Sequence, residues 1–417
     1  MNLLIKNVLL HDSIQDIFIQ KGLIDSIGQN LNCEAENVLD GTDKVAIPSF
    51  VNAHTHSAMT LMRSYADDME LHDWLENKIW PFEKNISEQD VYWATRLAII
   101  EMIKSGTTYF NDMYWHYPGT AQAVIDSGIH AHLSSAFIDL GDEETSKKQI
   151  EEQVKLFENR DQFSPNVTFS LGAHSLYTVL ESGLFWLRDF ANEHTLNIHM
   201  HLSETKKEVD EWVQQTGKRP VEYLESIGFL GSHIIAAHVN WVTDDEIKLL
   251  ADYNVGIAHC PTSNMKLASG VFPYQRIRDA GIRIGLATDG VASNNNVDML
   301  DEVKVAALLQ KSFNQDPTVM PADEAFYLAT EGSASLFGLN MGKIEVGKSA
   351  DLLLIDLNNI QLIPNHHLIS NLVYSAHSGC INTTIAKGEI LMENGCVKDE
   401  KNVIDHFQKV IRKRVNE

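Results

Sequence analysis

Cysteine is scarce: Cys33, Cys260, Cys380 and Cys396 stand far apart and form no C-x-x-C pair. That spacing suggests neither a disulfide framework nor a thiolate zinc site, and a reducing cytoplasm is the compartment it fits. Positive charge is also in short supply. The chain's 33 lysines and arginines face 57 acids, for a formal net charge of −24. A surface of that sign repels a phosphate backbone, so polymeric nucleic acid is excluded as a partner. No apolar run approaches the ~18 residues of a membrane span, and MNLLIKNVLLHD, broken by Lys6, lacks a small-residue cleavage site. Neither membrane insertion nor export is expected. Fixed-period repeats, low-complexity tracts and flexible linkers are absent as well. What remains is an ordinary globular composition, 44% hydrophobic and 22% charged, over 417 residues, enough to bury a large core.

The first 48 or so residues read as short strands with turn signals: LLIKNVLL, DIFIQKGLIDSIGQ and KVAIPSF. From about residue 50 the pattern changes to short apolar runs separated by longer amphipathic stretches, the mark of repeated βα units. The runs PSFVNAH, TTYFND, IHAHLSSAF, VTFSLGAH, LNIHMH, HIIAAHV, VGIAHC and IRIGLATD are eight candidate strands. Helices are expected at Val91–Ile103, Lys147–Phe157 and Asp245–Ala251 among the connections. Eight such units predict an α/β fold, a (β/α)8 TIM-like barrel. Beyond about residue 340, GKIEVGKSADLLLIDL and TTIAKGEILMENG return to strands and turns. Residues 49–344 are therefore expected to form the barrel, with 1–48 and 345–417 combining into a small β-sandwich domain.

Histidine is where the chemistry concentrates. His54 and His56 close the first barrel strand, and their i, i+2 spacing puts both imidazoles on one side. Two histidines in a loop would look the same, so context has to decide. The fifth strand ends in His199, Met200 and His201 and continues to Glu204; the sixth ends at His238, the eighth at Asp289. Barrel strands deliver their C-terminal ends to one mouth, where active sites of this fold lie. Three imidazoles and a carboxylate suit one divalent ion, zinc foremost with Fe2+ or Mn2+ as alternatives, and leave a position for water whose pKa the ion lowers. His174 ends the fourth strand where a lysine could have carried a bridging carbamate, so a single ion is expected.

These motifs together resemble the amidohydrolase superfamily: P-S-F-V-N-A-H-T-H, H-L-S-E, A-H-C-P-T-S-N-M-K-L, A-T-D-G-V-A-S-N-N-N and G-K-S-A-D-L. Within it, W-L-E-N-K-I-W-P-F-E at 74–83, K-S-G-T-T at 104–108 and G-A-H-S-L-Y-T at 172–178 resemble the 5-methylthioadenosine/S-adenosylhomocysteine deaminases. The resemblance implies His54, His56, His201 and Asp289 as metal ligands, Glu204 as the acid/base group and His238 close to the reacting water. It further implies Glu83 and His174 as contacts to a purine nucleoside substrate. A glutamate three residues beyond a ligand can protonate a ring nitrogen, and Asp289 can take the water's proton. Glu83 suits two vicinal hydroxyls, although an acid near a helix end is more often solvated.

Other residues are read with both roles open. His199 and His259 suit orienting or packing roles, the S-N-N-N run suits turn chemistry or support of Asp289, and Trp74, Trp80 and Phe82 suit core or an apolar purine wall. The remaining histidines are ordinary ones. Some family members carry an arginine just after the third barrel strand and another about a dozen residues later, a fork for an amino-acid carboxylate. Here those places hold Ser135 and the neighbourhood of Lys147 and Lys148. The expectation is that 5′-methylthioadenosine, 5′-deoxyadenosine or adenosine outperforms S-adenosylhomocysteine. Two alternatives stay open: a guanine or triazine deaminase or dechlorinase on the same scaffold, and a non-catalytic purine-binding barrel. The retained Glu204 speaks against the latter, since a binder needs no proton shuttle. A homo-oligomer is compatible with all three.

Overall fold

The computed structural model describes residues 2–415. The chain opens with β1 (Asn2–Leu10), β2 (Ser13–Gln20), β3 (Leu23–Gly28), β4 (Asn37–Asp40) and β5 (Lys44–Pro48). Eight barrel strands follow: β6 (Phe50–Thr55), β7 (Thr107–Tyr114), β8 (His130–Phe137), β9 (Val167–Ala173), β10 (Ile198–Leu202), β11 (Ile234–His238), β12 (Gly256–His259) and β13 (Arg283–Leu286). The chain closes with β14 (Leu352–Asp356), β15 (Ile381–Ala386), β16 (Glu389–Glu393) and β17 (Cys396–Val397).

Strands β6 to β13 pair in sequence order, every neighbour parallel. Buried on both faces, such strands read as nearly unbroken apolar runs. Period-2 alternation still sorts them: on β8, Ala131, Leu133 and Phe137 join the core under the helices, while the even-numbered positions face the barrel interior. The ring closes through polar groups. Asn52 Nδ2 on β6 donates to Thr288 Oγ1 at 2.7 Å, Thr288 N donates to Asn52 Oδ1 at 3.1 Å, and Asp289 N donates to the His54 carbonyl at 3.0 Å. The three expected helices form and extend a little further, as Glu88–Lys104, Glu143–Glu158 and Asp244–Asp252. Each begins where a Ser, Asp or Thr side chain caps it.

The chain ends meet in one sheet of order β17-β16-β15-β14-β5-β1-β2-β3, with β4 off this path and parallel to β1. Its two halves join where β5 runs antiparallel to β14, from Pro48 opposite Leu352 to Lys44 opposite Asp356. The sheet folds back on itself, so that Ile19 and Ile24 from one end share an apolar cluster with Leu352, Leu354 and Ile385 from the other. After β17 the helix Glu400–Val415 lies along the barrel helix Glu88–Lys104. Trp93 and His406 stack there at 4.2 Å, Lys104 pairs with Glu400, and Arg414 pairs with Asp90. No helix among the described residues is long and apolar enough to cross a membrane.

Gly106, centre of the K-S-G-T-T motif, shows why glycine stands there. Its φ is +88°, and a Cβ would lie 2.5 Å from Leu353 Cδ1 and 3.0 Å from Ile381 Cδ1, where the small sheet meets the barrel. Gly106→Ala should therefore lower the urea midpoint by an amount equivalent to about 1–3 kcal/mol, through left-handed strain and overpacking. An unchanged midpoint would mean this junction yields freely.

Candidate metal centre and substrate cleft

Strand ends that carry reactive side chains here bend into unusual backbone. Ser203 (φ 50°), His238 (φ 72°) and Asp289 (φ 61°) occupy the left-handed region at the ends of β10, β11 and β13. Non-glycine residues persist there only when surrounding bonds over-determine them. Glu208 does this for Ser203: its carboxylate accepts the backbone N–H of Ser203 at 3.1 Å, Glu204 at 2.8 Å and Thr205 at 3.4 Å. Thr205 and Glu208 are also the capping box of the helix Lys206–Thr216. Burial, then the charge of Glu204, raises the Glu208 pKa to about 7.

At the mouth, His54, His56, His201 and Asp289 bring one donor atom each to within 4.8 Å of one another. The tautomers of two rings follow from carbonyls that can only accept. His56 Nδ1–H donates to Met113 O at 2.6 Å, and His201 Nδ1–H donates to His174 O at 2.8 Å. Both rings therefore turn an Nε2 lone pair inward, and these two atoms lie 3.2 Å apart. Asp289 Oδ1 lies 3.1 Å from His54 Nε2 and 3.3 Å from His56 Nε2. Electron-rich atoms packed this closely repel unless a cation lies among them, so the donor set fits a divalent ion of zinc type. Behind His54, Nδ1 meets His199 Nε2 at 2.7 Å, and Asn111 touches the far side of that ring. His199 thus orients His54, whereas His259 stacks on Phe272 at 4.3 Å in the core.

Asp289 is fixed on its other side by Ser263 Oγ at 2.6 Å and Ser293 Oγ at 2.8 Å, both donating to Oδ2, and by Gly290 N at 2.7 Å on Oδ1. Burial alone would raise its pKa; the His54 hydrogen bond and the surrounding imidazoles outweigh this and hold the carboxyl well below the usual range. The S-N-N-N run thereby supports the Asp289 loop, since Asn294 Nδ2 also donates to Thr288 O. Glu204 lies 3.7 Å from His238 Nε2 and accepts from Ser269 Oγ at 2.9 Å. Burial raises the Glu204 pKa, with the His238 charge opposing. His238 is the reverse case. Burial works against its protonation, but Glu204, Asp289 and the Asn264 hydrogen bond together hold its pKa above the ordinary value. Its Nδ1–H donates to Asn264 Oδ1 at 2.8 Å, Asn264 Nδ2 donates to Asn240 Oδ1, and Asn240 Nδ2 donates to Glu204 O.

From this centre a cleft of about 640 Å³, counting its open mouth, runs outward. The segment 57–86, between β6 and the helix Glu88–Lys104, supplies its apolar wall through Met59, Leu71, Trp74, Leu75, Ile79 and Trp80. Glu83 and His174 both line it. Burial raises the Glu83 pKa, opposed by hydrogen bonds from Trp115 and Tyr114. Burial, then the charges of His56 and His54, lowers that of His174 to about 3. Of the two roles open to Phe82 it takes the packing one, against Tyr65, while one residue falls elsewhere than expected. Ser135 belongs to the outward-facing set of β8, its carbonyl accepting from Gln153 Nε2 at 3.1 Å; the alternation sends Ala136 and Ile138 into the cleft in its place. Lysine and arginine are absent among the described lining residues.

A parallel eight-stranded barrel whose strand ends gather three imidazoles and a carboxylate defines the class: a (β/α)8 barrel with a cation-binding mouth. A model described as the amidohydrolase family matches residues 45–391, and the chain belongs to that family. It is 45% identical to 5-methylthioadenosine/S-adenosylhomocysteine deaminase 1 of Archaeoglobus fulgidus, over 90% of this chain and 89% of that one. It is 42% identical to 5′-deoxyadenosine deaminase of Methanospirillum hungatei, over 96% and 91%. The crystal structure of an adenosine deaminase from Xanthomonas campestris with bound zinc superposes with a TM-score of 0.92 at 30% identity, covering 100% of this chain and 98% of that chain.

The buried titratable groups set a stability profile. His130 and His132 are pushed to about 4 and His259 to about 3, chiefly by burial. Depressed in the fold, they stabilise above the unfolded value of ~6.5 and lose that contribution as pH falls. Glu208 at about 7 and Glu302 at about 8 are raised, again chiefly by burial, so theirs is present at acid pH and lost as pH rises through those values. Melting of chelated protein should peak near pH ~6–7 and fall on both sides. A monotonic profile would contradict this.

Proposed function

We propose that this protein is a hydrolytic deaminase that converts a 5′-modified adenosine to the inosine analogue and ammonia. The observation that carries the reading is the composition of one cleft: the cluster of His54, His56, His201 and Asp289, with Glu204 and His238 beside it and Glu83 and His174 lining the same space. His54, His56, His201 and Asp289 would hold a single divalent ion, zinc foremost; when bound, such an ion supplies the Lewis acidity that makes water nucleophilic near neutral pH.

The side chains supply the rest. Glu204, whose pKa burial raises, hands a proton to the ring nitrogen beside the amino-bearing carbon, which makes that carbon electrophilic. His238, its Nδ1 locked by Asn264, presents Nε2 to the attacking water. Asp289, held anionic, takes one proton of the water and passes it to the departing amine, so a C–O bond forms, the C–N bond breaks and ammonia leaves, while the remaining hydroxyl proton returns to Glu204 as the carbonyl forms. Glu83 and His174 receive the ribose hydroxyls, which favours a nucleoside over the bare rings of guanine or a triazine. The apolar wall covers the purine and its 5′ substituent.

Two outcomes follow. Metal analysis should find about one ion per chain, and Glu204→Gln should lose several orders of magnitude in kcat while keeping that ion; loss of the ion would make Glu204 a ligand, and a count near two would overturn the single-ion centre. With no lysine or arginine among the described lining residues, 5′-methylthioadenosine, 5′-deoxyadenosine or adenosine should exceed S-adenosylhomocysteine in kcat/KM by roughly ten- to a hundred-fold, the worth of a charge-assisted hydrogen bond. Because Ser135 faces away, Ile138→Arg is the substitution expected to narrow the gap. Wild-type preference for S-adenosylhomocysteine would show that its carboxylate is bound by a residue outside this wall.

A further inference from the structure

One side chain joins both halves of substrate recognition. Trp115, just past the end of β7, donates its indole Nε1–H to Glu83 Oε2 at 3.1 Å. Its ring packs against Met113, Ala136 and Ile138, so the indole is wedged between the ends of β7 and β8. Tyr114 places its own hydroxyl beside the same carboxylate. Glu83 itself sits in the short helix Trp80–Glu83 of the segment 57–86, which lacks a strand to stiffen it. A carboxylate offers about four lone-pair sites. With Oε2 tied to a wedged indole, the remaining sites keep a fixed direction towards the cleft, and a pair of adjacent hydroxyls can meet them without first ordering the side chain.

We propose that Trp115 is a positioning residue for Glu83: it fixes the carboxylate so that the cleft distinguishes ribosides carrying a vicinal 2′,3′-diol from analogues lacking it. This rests on the deaminase reading above and adds a determinant outside the cation centre. Trp115 acts through Glu83, so its removal should affect one part of the substrate selectively.

The test compares adenosine with 2′,3′-dideoxyadenosine, which differ only in the diol, by ammonia release. Wild type should favour adenosine. In Trp115→Phe, which keeps an aromatic wedge but removes the N–H, the adenosine preference in kcat/KM should fall by roughly ten-fold, mostly through KM. Placed on Glu83→Gln, the same substitution should change the preference less than about two-fold, because coupled residues are not additive. Metal content and melting temperature monitored alongside separate this from misfolding. A preference unchanged in Trp115→Phe, equal losses for both substrates, or the full ten-fold loss again on Glu83→Gln would each overturn the proposal. Absence of ammonia release from any adenosine by the metal-loaded wild type would instead overturn the deaminase reading.

Discussion

Barrel closure is the constraint on which the centre depends. β6 and β13 are about as far apart in sequence as any two barrel strands, yet they carry His54, His56 and Asp289, whose donor atoms must meet within a few ångström. The polar clasp between Asn52 and Thr288, with the bond from Asp289 N to His54 O, sets that meeting. A clasp of apolar side chains would tolerate slippage; hydrogen bonds buried in a low-dielectric interior do not, because a displaced donor or acceptor goes unpaired. The second donor pair is fixed by the same logic, with the Met113 and His174 carbonyls choosing which nitrogen of His56 and His201 faces inward. Both rings are thus oriented by bonds to groups outside the cluster.

The proton-handling pair uses opposite means. Asp289 accepts from two serine hydroxyls and a backbone amide, and remains anionic despite complete burial. Glu204 has one serine donor and the Asp289 charge nearby, so burial outweighs the His238 charge and its pKa is raised. Two carboxyl groups on one mouth are thus shifted in opposite directions by the groups around them. Through the chain His238, Asn264, Asn240 and the Glu204 carbonyl, the orientation of the histidine is tied to the loop that carries the glutamate.

Much of this was legible in the sequence, for physical reasons that also mark where legibility stopped. Strands buried on both faces announce themselves as apolar runs, and parallel order forces their ends to one mouth, so His54, His56, His201, Glu204, His238 and Asp289 could be placed together from spacing. Ser135 could not be placed correctly, because the face of a strand flips with every residue and the reading of β8 was one position out. The supporting residues Asn240, Ser263, Asn264 and Ser269 act through tertiary hydrogen bonds that carry no periodic signal. Glu208 was available, since Thr205-x-x-Glu208 is a capping box, but its second task of clamping the Ser203–Glu204 turn is visible only in three dimensions. Trp115 was indistinguishable from core for the same reason.

Chemistry and recognition sit on different parts of the chain. The groups proposed to move protons or hold an ion come from strand ends, clamped by buried bonds, whereas much of the cleft wall comes from the segment 57–86, a run of short helical turns laid over the mouth. Packing alone tolerates exchange of one apolar residue for another far better than a buried hydrogen-bond network tolerates loss of a partner. Changes in Leu71, Leu75 or Ile79 would therefore reshape the cleft without disturbing the donors behind it. Glu83 is the acidic side chain that this segment contributes to the cleft lining, half-buried in an otherwise apolar wall. Its tie to Trp115 anchors the adaptable wall to the rigid end of β7, which is how a segment of weak local structure can carry a directional contact.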